Sequence, residues 1–145
     1  MFINKSYVYL FKNFSTVFSV IYIEVSEETS FKYTKPVLDW VKSNFVDVVT
    51  YDFDNRSDSF MVDYALELVN NADKSVIVFE LNENGKTNNL IAFMQGLAKY
   101  KKKLLFLYSG KNAIIEKLFK MFLPEKIISC NEQKEQEDRI SEYLV

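Results

Sequence analysis

A three-layer, doubly wound α/β domain around a five-stranded parallel sheet is the fold class this sequence predicts. Five short apolar runs recur along its 145 residues, and segments of helical length and period separate them. Three of the runs are nearly continuous in apolar residues rather than alternating, as strands buried on both faces require. Strands that alternate with helices of about ten residues or more build βαβ units with right-handed crossovers, and hence a parallel sheet.

The expected strands are residues 17–25 (VFSVIYIEV), 45–51 (FVDVVTY), 75–81 (SVIVFEL), 104–108 (LLFLY) and 126–130 (KIISC). The first helix should open near Pro36, which suits a first turn, and carry Leu38, Val41 and Phe45 on one face. Asp58 is placed to cap the second, which runs through SFMVDYALELVNN. The third follows Asn88 through NLIAFMQGLAKY, and its lysine run, residues 99–103, complements the dipole at its end. Asn112 caps the fourth and Pro124 lies just past its end. The last helix begins after Asn131, with Ile140, Tyr143 and Leu144 inward. Residues 1–145 thus read as one flavodoxin-like or Rossmann-like domain, with 1–15 as an N-terminal extension.

Composition prunes the chemistry. Without histidine, Ser-His-Asp triads, Cys-His pairs and His-ligated zinc are excluded, and the single Cys130 excludes an intrachain disulfide. In the apolar run KIISC, Cys130 reads as a buried, inert thiol. A net charge of −2 argues against a nucleic-acid surface spanning the domain. The longest apolar run is far shorter than the roughly 20 residues of a membrane helix. The expected location is the cytoplasm, with no cofactor, metal, nucleic acid or membrane contact.

In open parallel sheets, ligands bind beyond the carboxyl ends of the strands. Those ends place Glu24 and Ser26 after the first strand, Asp52 and Asp54 after the second, Glu80, Asn82 and Glu83 after the third, and Ser109 and Gly110 after the fourth. Thr87, Asn88 and Asn89 stand at the start of the third helix, where free N–H groups favour an anion or ribose hydroxyls, and where the same residues serve as N-caps. Polar residues at strand ends also have a plain reading, as the points where the chain meets water. The candidate ligand-binding set is Glu24, Ser26, Glu80, Asn82, Thr87, Asn88, Asn89 and Ser109.

From residue 62 to 107 the chain resembles the nucleoside 2-deoxyribosyltransferases and, more distantly, Toll/interleukin-receptor-type domains. NNADKSVIVFELNENG is similar to their helix end, apolar strand and polar loop, and AFMQGLAKYKKKLLFL parallels a pattern AFE-x-G-x-A followed by a buried strand. In that family the Glu two residues before the glycine attacks the anomeric carbon of a nucleoside. Here Met94 stands in its place, and a thioether without charge cannot supply that nucleophile. Met94 also sits central to the helix's apolar stripe, with Leu90 and Leu97, and should fill core space or floor the former pocket.

The same alternation also resembles a response-regulator receiver. Glu24, Glu27 and Glu28 follow the first strand, Glu80 stands in the place of the phosphoacceptor Asp, Ser109 takes the hydroxyl position, and Asn131 replaces the lysine. Both resemblances imply a lost catalytic residue. Three readings follow. One is a non-catalytic domain binding a nucleoside or nucleotide derivative, or a protein. The second is a pseudo-receiver acting through a protein partner or a second copy of the chain. The third is an N-glycoside hydrolase or transferase with Glu80 as its acid.

Overall fold

A computed structural model describes residues 16–27 and 35–145. These form β1 (Phe18–Glu24), α1 (Pro36–Asn44), β2 (Val48–Asp54), α2 (Ser59–Asn71), β3 (Lys74–Glu80), α3 (Leu90–Leu97), β4 (Leu104–Ser109), α4 (Ala113–Leu118), β5 (Ile127–Ser129) and α5 (Gln133–Leu144). The strands pair in the order β2-β1-β3-β4-β5, every pairing parallel. The chain is therefore the doubly wound α/β sandwich that its alternation predicts. The N-terminal extension, residues 1–15, lies outside the described residues.

The period-2 geometry of the strands sorts the core into two layers. Ile21, Ile23, Ile77, Phe79 and Phe106 face α2, α3 and α4, where they meet Val62, Ala65, Phe93, Met94 and Ile115. Val20, Val76, Val78, Leu105 and Leu107 face α1 and α5, against Val37, Leu38, Val41, Ile140 and Leu144. β3 is central, and Val76, Ile77, Val78 and Phe79 are all fully buried, which is why its run is continuous rather than alternating.

Two expected caps are made. Asp58 Oδ1 accepts from the Met61 N–H at 3.0 Å, and Asn112 Oδ1 accepts from Ile114 and Ile115 at 3.2 and 3.1 Å. Pro36 occupies the first turn of α1. The second strand, however, lies three residues later than expected. Phe45 does not begin it: its extended backbone ends α1, with its N–H on Val41 O at 3.0 Å. Pairing sets the true start, because Phe18 N–H donates to Asp47 O and aligns Val48 with Phe18. Asp52 and Asp54 consequently sit within β2 rather than beyond it.

Helix lengths also depart from the periodicity. α3 ends at Leu97 and tightens into a 3₁₀ turn over Ala98–Lys103. α4 passes into a 3₁₀ turn at Phe119–Met121, and Pro124 opens another, Pro124–Lys126, rather than only stopping a helix. In the lysine run, Lys103 Nζ donates to Ala72 O at 2.6 Å and Asn70 O at 3.3 Å, so it serves the end of α2 as well as its own segment. Among the described residues no helix is long and apolar enough to cross a membrane.

Candidate functional site

The carboxyl ends of the strands carry a cavity of about 220 Å³ on the α1/α5 side of the sheet. Tyr22, Glu80 and Ser109 reach it from β1, β3 and β4. Pro36 and Val37 close one side from the first turn of α1, while Asn131, Gln133 and Gln136 close the other at the entry to α5. It lies beside the β1/β3 junction, where strand order reverses and ligands collect in open sheets.

Local sequence explains this assembly. Tyr22, Glu24, Val78, Glu80, Leu107 and Ser109 share the strand face that looks toward α1 and α5, by alternation from the buried valines below. Toward the crest that face changes from valine and leucine to tyrosine, glutamate and serine. The Tyr22 hydroxyl donates to Glu80 Oε2 at 2.7 Å. Burial raises the Tyr22 phenol well above its ordinary range, and the bond to Glu80 and the Glu80 and Glu24 charges push it the same way. Tyr22 is thus held as a neutral O–H donor. Behind it, Lys35 Nζ sits 2.8 Å from Glu24 Oε2 and 5.3 Å from the Tyr22 ring centroid. Gln136 donates through Nε2 to Cys130 O at 3.3 Å, which leaves its side-chain oxygen for other use.

Of the residues expected in a binding site, Glu80 and Ser109 line the cavity. Glu24 is adjacent, but it is buried and its carboxylate is engaged by Lys35. Asn82 is exposed and turns its side-chain oxygen back to the Asn84 N–H at 2.8 Å.

Ser26, Asn88 and Asn89 belong to a different cluster, organised by Asn55, which is 1% exposed. Asn55 accepts from Ser26 N–H at 3.2 Å and donates to Ser26 O and Lys86 O at 2.9 and 2.8 Å. Asn88 donates to Asn55 O at 2.9 Å, Asn89 to Ser57 O at 3.2 Å, and Arg56 reaches Ser26 O and Glu27 O. The asparagines therefore do not cap α3 with their side chains. They fasten the β3–α3 loop to the β2–α2 loop. Thr87 is buried, and its carbonyl accepts from Leu90 N–H.

Met94 is fully buried in the layer facing α2 and α4, on the opposite side of the sheet from the cavity. Of its two expected roles it takes the first and fills core; it does not floor this cavity. Cys130 is buried too, and burial, with the Glu135 charge, pushes its thiol up to about 11.

Sequence reasoning passed over Tyr22, Gln133, Gln136 and Asn55, and singled out Asn131 only as a replaced lysine. Tyr22 had a signal: two residues before Glu24 in a strand, it must share that residue's face. Asn55 had none, because its partners lie about thirty residues away in two other loops. No family model, no curated protein and no solved structure matches this chain.

Proposed function

We propose that this chain is a non-catalytic ligand-binding domain of the deoxyribosyltransferase and Toll-like kind, and that its crest cavity takes the sugar of a nucleoside or nucleotide derivative. The observation that carries the reading is the lining itself. Glu80 is the charged residue among the described lining groups, and Ser109, Asn131, Gln133 and Gln136 surround it with hydroxyl and amide groups. A carboxylate accepts from hydroxyls, and amides both donate and accept, which suits a polyol. The volume falls below the roughly 300–1,000 Å³ typical of a whole drug-sized ligand, so a sugar would enter while the rest of the ligand stays at the mouth. Met94, uncharged and buried in the opposite layer, supplies no nucleophile to this cavity, which supports the non-catalytic part of the reading.

A second reading is favoured by one arrangement. Glu80, Ser109 and Asn131, at or just past the ends of β3, β4 and β5, share the cavity, and these are the three positions that a receiver uses. Glu27 is exposed, Glu24 is paired, and Glu28 lies outside the described residues. That reading makes the chain a pseudo-receiver that signals by protein contact.

A thermal-shift series with ribose, nucleosides, nucleotides, NAD, and acetyl phosphate with Mg²⁺ separates the two. A ligand at 100 times its Kd adds about 2.7 kcal/mol, a shift of several degrees for a domain of this size. A shift with a nucleoside that Glu80→Gln removes supports the first reading. No shift with any member of the series overturns it and leaves the second. Release of free base from a nucleoside, abolished by Glu80→Gln, would instead make Glu80 the acid of a glycosidic enzyme.

A further inference from the structure

Among the described residues, the two edge strands of the sheet differ in length. β5 is three residues long, and a short edge strand offers little to an incoming chain. β2 runs seven residues, Val48–Asp54, in unbroken parallel register with β1, and contains neither lysine nor proline. The bonds Phe18 N–H to Asp47 O and Asn55 N–H to Glu24 O show that odd-numbered residues of β2 face β1. Val48, Thr50, Asp52 and Asp54 therefore turn their backbone groups outward. Asp54 is used by its own loop, through Ser57. The groups of Val48, Thr50 and Asp52 have no partner among the described residues.

Exposed apolar side chains lie on this strand, just before it and on α2. Val49 is 40% exposed, Tyr64 43%, Phe60 79% and Val46 97%. The Tyr51 and Tyr64 rings, 5.0 Å apart, join strand to helix. Exposed apolar residues on and next to an edge strand that has no partner among the described residues suit an interaction site.

We propose that the occupant is β2 of a second copy, paired antiparallel about a two-fold axis through Thr50. An antiparallel ladder must join outward-facing residues, and this register does so: Thr50 opposes Thr50, and Val48 opposes Asp52, giving about six backbone hydrogen bonds. Between them, Val49 of one copy meets Tyr51 of the other, a β-branched–aromatic pair, and Thr faces Thr at the axis, another favourable pair. No carboxylate opposes a carboxylate, although the strand carries Asp52 and Asp54. The patch is thus complementary to itself, as a two-fold interface requires.

Sedimentation velocity of the full chain across a wide concentration range, with single cysteine substitutions, tests this. Opposed hydrogen-bonded residues lie about 5.5 Å apart at Cα, within disulfide range, so Thr50→Cys should cross-link into a dimer on mild oxidation. Asp52→Cys should not, since the two copies of residue 52 would stand about 13 Å apart along the strand. Thr50→Lys, which sets two like charges face to face, should weaken association about tenfold or more. A wild-type chain that stays monomeric throughout overturns the proposal. So does cross-linking at residue 52 but not at 50, or an association that Thr50→Lys leaves unchanged.

Discussion

At the scale of single residues, burial decides chemistry. Cys130 is fully buried where β5 turns into α5, and its thiol is pushed up to about 11. A free thiol in an unfolded chain ionises near 8.5. Between those values the unfolded state has lost its proton while the folded state keeps it, so stability must fall as pH rises through about 9 to 11. Tyr143, pushed up to about 12 by burial, acts in the same direction at higher pH. Cys130→Ala should therefore flatten the upper part of a urea-unfolding profile measured from pH 7 to 11. Gly110 shows the complementary effect of space. At φ +77° its missing side chain admits Leu81 O, which a Cβ would approach to 2.1 Å, and the crest turn after β4 depends on that gap.

At the scale of elements, the crest is held by two separate sets of ties. On one side of the sheet Asn55 joins three loops, and Asn112 joins α4 to Asn82 O and Gly85 O at 3.0 Å each. On the other, the Glu24–Lys35 pair fastens the end of β1 to the start of α1, with side chains 8% and 9% exposed. Removing one member of a buried pair strands the other charge, whereas replacing both with apolar groups is often close to neutral. Lys35→Met should cost about 3–5 kcal/mol in urea denaturation, and Glu24→Leu with Lys35→Met should recover most of that. If the double variant is no better than the single, the pair matters for more than its charge balance.

At the scale of the whole molecule, the proposed ligand cavity and the proposed two-fold edge lie apart. The cavity opens between β1, β3, β4 and the α1/α5 layer, while the outward groups of β2 line the sheet edge next to β1 and face away from it. No lining residue of the cavity belongs to β2. Glu80→Gln should then abolish a nucleoside-induced thermal shift without changing sedimentation. Thr50→Lys should do the reverse, lowering association while preserving the shift. A variant that altered both readouts would mean that the two regions are coupled through β1, which touches both.

The sequence alone determined whatever depends on short-range pattern: the order of strands and helices, the buried run of β3, the caps at Asp58 and Asn112, and the core position of Met94. Period, capping chemistry and apolar stripes act within one or two turns of chain, so they can be read without knowing what lies opposite. Its candidate site was legible in part, because strand-end logic found Glu80 and Ser109. Tertiary structure decided the rest. The start of β2 follows its alignment with β1, not its own composition. Ser26, Asn88 and Asn89 became loop fasteners because Asn55 stands among them. Glu24 was drawn from the site by Lys35, and Gln133 and Gln136 were brought to it by the packing of α5 against α1. Each of these turns on a partner distant in sequence, and a polar side chain's role is set by the partner it meets.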